Sequence, residues 1–155
     1  TIPAMAKIAG NYLSGQLIKM EALANGYAEG IALSPSGMVS EGSGQNVFIV
    51  SKGTIITTPL DGSILGGITR ASIMQLAADL GIPVRELHIP REMLYMADEV
   101  FFTGTAAELT PVRSVDKITI GAGKVGPITR QLQQQYLGIA KGTIEDRHGW
   151  LTYCK

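Results

Sequence analysis

The stretch Glu41-Gly-Ser-Gly-Gln-Asn-Val-Phe48 joins two predicted β-hairpins and so decides how the middle of the chain folds. Before it, Ile31-Ala-Leu33 and Met38-Val-Ser40 flank a Pro-Ser-Gly turn. After it, residues 46–50 and 54–58 flank a Lys-Gly turn. Short runs of β-branched and apolar residues around such turns are typical of hairpins. The sequence therefore predicts paired strands joined by a loop rich in glycine and serine.

Outward from this stretch, the periodicity of apolar residues predicts helices mixed with further strands. Helical spacing predicts helices at 11–25, 69–80, 91–97 and 127–140. The first helix has a predicted apolar face, formed by Leu13, Leu17, Met20 and Ala24. Further strands are expected at 84–89, 99–103, 109–115 and 117–120. Because no repeat or linker interrupts this alternation, the span 1–155 is expected to form one domain of mixed α and β structure.

The composition limits the kind of partner. Of 155 residues, 45% are hydrophobic and 17% are charged, which favours a folded core over disorder. The 13 basic and 13 acidic residues balance without any basic block, which argues against nucleic acid. No apolar run approaches a membrane span, which argues against a membrane partner. The single cysteine, Cys154, forms no internal disulfide and fits a reducing cytoplasm.

The start of the chain favours a fragment. Thr1 is not an initiator methionine, and a helical pattern follows almost at once. We expect a domain fragment, a cleavage product or an incompletely built chain, and the alternative is ordinary processing of a complete small protein.

Lys7 has an unusually apolar sequence setting for a lysine. A lysine forms a Schiff base with an aldehyde only when its amine is neutral, which a protein achieves by desolvation or by a nearby cation. Tyr12, five residues on, is spaced to place its phenol beside this amine. The alternatives are a surface lysine and a half-buried core tyrosine. The neighbours of the lysine are all apolar, namely Ala4, Met5, Ala6, Ile8 and Ala9.

Three further motifs have residues suited to binding a charged ligand. Glu41 precedes small residues, and paired with a pyridinium nitrogen it would keep that nitrogen protonated. Gly66-Gly67-Ile68-Thr69 opens a predicted helix, whose free N–H groups and positive dipole end favour phosphate. Thr103-Gly104-Thr105-Ala106-Ala107 predicts a tight turn suited to a carboxylate or another phosphate oxygen. The alternatives are a turn glutamate, a threonine N-cap and a plain strand-to-strand turn.

The remaining polar residues do not indicate a metal site or a nucleophile. His88 and His148 lack metal-ligand spacing, and no metal site is expected. Asp98 and Glu99 are interpreted as solvated charges, and Cys154 has no neighbouring base to activate it.

The order and spacing of these motifs resemble the branched-chain amino acid aminotransferases, which are fold-type-IV, class IV enzymes dependent on pyridoxal 5'-phosphate. The resemblance covers nearly the whole chain and implies their large cofactor-binding domain, a twisted β-sheet or pseudo-barrel with flanking helices. It runs through Ala6-Lys7-x-x-Gly10-Asn11-Tyr12, Glu41-Gly-x-Gly-x-Asn46, Gly67-Ile-Thr-Arg70, Ala97-Asp-Glu-Val100, Gly104-Thr-Ala-Ala-Glu-Leu-Thr-Pro-Val-Arg113 and Asp146-Arg-His-Gly-Trp150.

The resemblance implies roles around the ring of the cofactor. Lys7 matches the lysine that forms the Schiff base and moves the proton, so it is the expected catalytic residue. Tyr12 matches the tyrosine at the phenolic oxygen of the cofactor. Glu41 matches the carboxylate at the pyridine nitrogen, and Leu65 matches a residue that packs on the ring.

It also implies two anion contacts. Ile68 and Thr69 match the amides that bind the cofactor phosphate, and Thr105 matches a further phosphate contact. The amides of Thr105 and Ala106 match those that face the substrate carboxylate.

The implied reaction moves an amino group between Leu, Ile or Val and 2-oxoglutarate in a homodimer or larger homo-oligomer. A small N-terminal domain of this family, which supplies the phosphate-binding arginine and much of the side-chain pocket, has no counterpart in the sequence. The chain alone is therefore expected to be nearly inactive. The alternatives are a D-amino acid aminotransferase, an (R)-amine transaminase or an aminodeoxychorismate lyase on the same fold, or a non-catalytic fragment retained for subunit association.

Overall fold

A five-stranded mixed sheet lies at the centre of the computed structural model, which describes residues 6–61 and 63–154. Its strand order is β5-β4-β3-β6-β7, and only β4 and β5 run parallel. The strands are β3 (Asn46–Ser51), β4 (Thr54–Thr57), β5 (Val84–Glu86), β6 (Glu99–Gly104) and β7 (Glu108–Val112). Two short antiparallel pairs flank it, β1 (Ile31–Leu33) with β2 (Val39–Gly42) and β8 (Ser114–Val115) with β9 (Ile118–Thr119).

Four α-helices complete the described fold. They are α1 (Tyr12–Ala24), α2 (Ile68–Asp79), α3 (Glu92–Met96) and α4 (Pro127–Ala140), and a 3₁₀ turn, Ala9–Asn11, precedes α1. Helix α2 connects β4 to β5, because a parallel pair needs a crossover. Both predicted hairpins and all four predicted helices are present, so the prediction of mixed α and β structure is confirmed.

The sheet has an apolar core on each face. Phe48 and Phe101 occupy adjacent strands, with ring centroids 5.0 Å apart, on the face covered by α2 and α4. The other face packs against α3 and β2 through Val47, Ile49, Val100 and Phe102. Because neighbouring residues of a strand point to opposite faces, β3 and β6 are buried on both sides. The buried sheet is therefore a firm support for the loops at its ends.

Two predicted strands differ most from the observed ones. The predicted strand 109–115 divides into β7 and β8, which belong to separate sheets. Pro111 lies in β7, which is an edge strand of the sheet. A proline is tolerated there because no further strand on the open side needs a backbone N–H from it. The predicted strand 84–89 ends early, at Glu86.

The apolar side chains predicted on α1 lie on one side of the helix, but that side does not contact the core of this chain. Leu13, Leu17 and Met20 are 62%, 67% and 65% exposed. The helix packs instead through Gly15 and Ala22, which are buried. Small residues allow a close approach of helix and loop, so the large apolar side chains are left on the outside.

Glu99 corrects another prediction, because it is buried and not a solvated charge. Its two carboxylate oxygens accept the N–H groups of Ile128 at 3.0 Å and Thr129 at 2.8 Å. These are free amides in the first turn of α4, so Glu99 caps that helix from another element. Asp98 is exposed as predicted and accepts the N–H of Lys52 at 2.7 Å.

None of the described helices is long and apolar enough to cross a membrane.

Candidate functional site

An open cleft of about 340 Å³ lies at one end of the sheet. Four segments form most of its walls: the segment that leads into α1 with the start of that helix, the end of β2 with the loop that follows it, the turn before α2, and the end of β6. Each of these segments contains one of the motifs singled out from the sequence. The fold therefore brings together residues that are far apart in the chain.

Lys7 and Tyr12 meet at the first wall. The Nζ of Lys7 donates a hydrogen bond of 2.9 Å to the phenolic oxygen of Tyr12 and lies 5.6 Å from the centre of its ring. The spacing of five residues works because the 3₁₀ turn and the first residue of α1 bring the phenol back toward the lysine. The side chain of Lys7 is exposed, so its apolar neighbours in the sequence do not bury it, and Ala4 and Met5 lie outside the described residues.

Glu41 lies at the second wall with its carboxylate half-buried. Its Oε2 accepts the N–H of Leu65 at 3.1 Å and the side-chain amide of Asn46 at 3.4 Å. No described residue donates to Oε1. Burial raises the pKa of the Glu41 carboxyl because it disfavours the charged form, and the Leu65 N–H partly offsets this. Glu41 lies in strand β2, so it is not the turn glutamate of the alternative interpretation.

The third wall is the turn that leads into α2. Gly67 is the N-cap of the helix and has no capping side chain, so Thr69 lies inside the first turn and is not the threonine N-cap of the alternative interpretation. The N–H groups of Ile68 and Thr69 make no hydrogen bond within the described chain. Thr69 is buried and lines the cleft, whereas Ile68 is 76% exposed at its edge. Free amides with a positive dipole end suit an anion.

The fourth wall is the β6–β7 turn. Gly104 pairs with Glu108, so residues 105–107 form a hairpin turn. Such a turn agrees both with an anion site and with the alternative of a plain strand-to-strand turn. Thr105 lines the cleft, whereas Ala106 is exposed and lies beyond the lining residues. The buried hydroxyl of Thr103, on the same wall, has no hydrogen-bond partner in the described chain.

A further group of residues holds the loop 42–45 against α1. Glu29 accepts the amine of Lys19 at 3.0 Å and the side-chain amide of Gln45 at 3.1 Å. Glu29 was not predicted from the sequence, because it follows a glycine turn and belongs to no motif. Asn46 was not assigned a role either, although it ends the Glu41-Gly-x-Gly-x-Asn46 motif, and that position was the available signal.

The cleft thus joins all seven residues for which a cofactor contact was predicted. Their roles stay predictions, as does the contact of Ala106 with a substrate. The described residues contain no group of three or more histidine, cysteine or acidic side chains placed to hold a metal ion. The lining residues with a predicted role are Lys7, Tyr12, Glu41, Leu65, Ile68, Thr69 and Thr105.

Comparison with known proteins places the chain in a family. Residues 3–115 match the model of the amino-transferase class IV family. The chain is 54% identical to the branched-chain-amino-acid aminotransferase of Escherichia coli (strain K12) over 151 residues, which are 97% of this chain and 49% of that protein. It is 46% identical over 150 residues to the enzyme of that name from Pseudomonas aeruginosa, again 97% of this chain and 48% of that protein. The chain therefore spans about half the length of the curated relatives it matches.

Solved structures show the same likeness in three dimensions. A structure of the branched-chain amino acid aminotransferase from Escherichia coli superposes with a TM-score of 0.95 at 54% identity, covering 98% of this chain and 52% of that one. The enzyme of that name from Thermoproteus uzoniensis, solved with norvaline, gives 0.92 at 47% identity, covering 97% and 50%. The expected fold is confirmed, and the chain belongs to the class IV aminotransferase family.

Proposed function

We propose that this chain is the cofactor-binding half of a branched-chain amino acid aminotransferase. The complete enzyme would transfer an amino group between L-leucine, L-isoleucine or L-valine and 2-oxoglutarate. The observation that supports this most is the cleft, which joins an amine, a phenol, a carboxylate and the amino end of a helix. Relatives of this name at 46–54% identity support the choice of substrate class.

The donor set of the cleft fits pyridoxal 5'-phosphate. Oε1 of Glu41 accepts no hydrogen bond from a described residue, which suits a protonated ring nitrogen. The free amides of Ile68 and Thr69 suit a phosphate. Lys7 supplies the one lysine amine among the described lining residues, which suits an aldehyde. When bound, this cofactor would supply an electron sink that lets a proton leave the α-carbon of an amino acid.

Lys7 and Tyr12 are the residues proposed to handle the proton and the covalent attachment. The Nζ of Lys7 would hold the cofactor and then, once released, take a proton from the substrate and return it. The phenol of Tyr12 keeps this amine in place through the 2.9 Å hydrogen bond and would bond the ring oxygen of the cofactor.

The other walls are proposed to bind and orient. Glu41 would keep a proton on the ring nitrogen, and Leu65 would pack on the ring. Ile68, Thr69 and Thr105 would hold the phosphate. The amides of Thr105, which lines the cleft, and of Ala106, which follows it in the chain, would face the carboxylate of the substrate.

The complete enzyme is proposed to have two further components. The first is a small N-terminal domain, which accords with the half-length coverage of the relatives. The second is another copy of the protein, because α1 leaves Leu13, Leu17, Met20 and Leu23 exposed on its surface. We place the enzyme in the cytoplasm, which accords with its single exposed cysteine, Cys154. Amino acids and 2-oxo acids are the proposed ligands, without a nucleic acid or membrane partner.

A comparison of amino donors tests this proposal in a full-length protein that contains the chain. L-leucine, L-isoleucine and L-valine are expected to support transfer to 2-oxoglutarate, and D-alanine and simple amines are expected to be poor donors. Lys7→Ala should lower the rate at least about 100-fold, because a positioned acid/base group is lost. Lys52→Ala, at an exposed lysine outside the cleft lining, should retain it. Faster transfer from D-alanine or from an amine would contradict the substrate class.

The isolated chain gives a second test. We expect the 155-residue chain to show little or no turnover, because an arginine for the phosphate and aromatic residues for the side-chain pocket would come from the N-terminal domain. Full turnover by the isolated chain would overturn the proposed division into two halves.

A further inference from the structure

Asn46 is a buried amide that contacts three lining residues of the cleft at once. It is 4% exposed and is the first residue of β3. Its Nδ2 donates to the Leu65 carbonyl at 2.8 Å and to Oε2 of Glu41 at 3.4 Å. Its Oδ1 occupies the space that a β-carbon on Gly67 would need. One side chain therefore touches the carboxylate wall and the turn into α2.

The hydrogen bond to Leu65 determines which end of this amide is the nitrogen. A backbone carbonyl can only accept a hydrogen bond, so the nitrogen of Asn46 must face Leu65. The oxygen then faces Gly67, where the absence of a side chain gives it room. Because both ends of the amide are constrained, Asn46 sets the distance between β3 and the start of α2.

This orientation decides which oxygen of Glu41 is available. Oε2 receives two donors, the N–H of Leu65 and the amide of Asn46, whereas Oε1 receives none from a described residue. Donors to a carboxylate favour its charged form, and burial opposes that form. Only a charged carboxylate can hold a proton on a pyridine nitrogen.

We propose that Asn46 is a positioning residue that acts through Glu41, by holding Oε2 and leaving Oε1 to the ring nitrogen of the cofactor. This inference rests on the proposed function for the identity of the ring. Through Leu65 and Gly67, the same amide fixes the spacing between the carboxylate and the anion-binding end of α2. Its loss is expected to change the protonation of the ring nitrogen and not only the stability of the fold.

The first test follows that protonation directly. Pyridoxal phosphate labelled with ¹⁵N in its ring is bound to a full-length protein that contains this chain, and the ¹⁵N chemical shift reports whether the nitrogen is protonated. Asn46→Leu keeps the shape of the side chain but removes its donors. We expect the shift to move toward the unprotonated nitrogen and the affinity to fall on the order of ten-fold, because a hydrogen bond to a charged group is lost. Asn25→Leu, at an exposed asparagine after α1, should match the unchanged chain.

A double-mutant cycle separates positioning from structure. If Asn46 acts through Glu41, then Asn46→Leu should add little to the nitrogen shift once Glu41→Gln is present. Equal shifts from Asn46→Leu with and without Glu41→Gln would overturn the inference, and so would an unchanged nitrogen shift in a folded Asn46→Leu chain. If Asn46→Leu does not fold, Asn46→Thr replaces it, because a β-branched residue suits the strand and its hydroxyl is too short to reach both acceptors.

A measurement without cofactor keeps this inference separate from the proposed function. The ¹³C signal of the Glu41 carboxyl gives its pKa in the cofactor-free chain. The other ionisable residues among the described lining residues are Lys7 and Tyr12, and neither is substituted in this comparison. We expect Asn46→Leu to raise this pKa, even if the chain never binds pyridoxal phosphate. An unchanged pKa would overturn the role of Asn46. Failure of a full-length protein that contains the unsubstituted chain to bind the cofactor would count against the proposed function alone.

Discussion

The backbone of Gly15 in α1 lies directly against the carbonyl oxygen of Ser43, so closely that a β-carbon on Gly15 would overlap that oxygen. Gly15 belongs to the helix that begins at Tyr12, and Ser43 belongs to the loop that follows Glu41. This contact therefore fixes the wall that contains the lysine and tyrosine against the wall that contains the carboxylate.

Gly15→Ala tests the importance of this contact. The added methyl group cannot fit without a shift of α1, so we expect a loss of about 1–3 kcal/mol in the free energy of unfolding. A weaker affinity for pyridoxal phosphate should accompany it. The measurement is urea denaturation, followed by a cofactor titration.

Gly44→Ala is the matched control, because Gly44 lies in the same loop with open space around the position of its β-carbon. It should change stability little. Equal effects of Gly15→Ala and Gly44→Ala would show that the close contact is not what holds the two walls together.

Glu41 should lower the stability of the cofactor-free chain at neutral pH. Its pKa is raised by burial, so the stability linked to its neutral form is fully present below the unfolded pKa and is lost as pH rises through the folded pKa. Glu41→Gln should therefore stabilise the chain at about pH 7 and change it little at about pH 4. Urea denaturation at the two pH values measures this, and a Gln variant that is less stable at neutral pH would contradict the sign.

Glu99 should stabilise the fold through the start of α4. Glu99→Gln keeps the shape but removes the charge and one acceptor, so we expect a loss of about 1–2 kcal/mol. Glu21→Gln is the control, since Glu21 is exposed on α1. Denaturation that shows no difference between the two variants would rule out capping by Glu99.

The exposed face of α1 should cause self-association. Four large apolar side chains, Leu13, Leu17, Met20 and Leu23, are each more than half exposed on this helix. Leu17→Lys should lower the average mass measured by sedimentation equilibrium, because it places a charge in the middle of an apolar patch. Met96→Lys, at a residue of α3 that is 72% exposed, is the control. An unchanged mass in Leu17→Lys would exclude this face as the contact.

Local signals account for the parts of the fold that sequence predicts well. Helix α4 has the predicted bounds, because a proline at its first position and the apolar spacing are both local. The hairpin of β3 and β4 follows from its turn, in which Lys52 and Gly53 adopt the positive φ values of 49° and 77° that tight hairpins need. The meeting of Lys7 with Tyr12 is also local, since five residues separate them.

Relations between distant segments account for the parts that sequence did not predict. The carboxylate of Glu99 reaches Ile128 across 29 residues, so nothing near Glu99 in the chain shows that it is a cap. Periodicity identifies the apolar face of α1 but does not tell what covers it. The three contacts of Asn46 exist only once β2, β3 and the turn before α2 come together.

Borohydride reduction of the protein with pyridoxal phosphate, followed by intact mass and peptide mapping, shows directly whether Lys7 binds the cofactor. Lys19 and Lys52, which lie outside the lining of the cleft, serve as internal controls for unspecific labelling. We expect one reduced cofactor adduct per chain, located on Lys7 and lost in Lys7→Ala. An adduct spread over the other lysines, or none on Lys7 in a full-length protein that contains this chain, would contradict it.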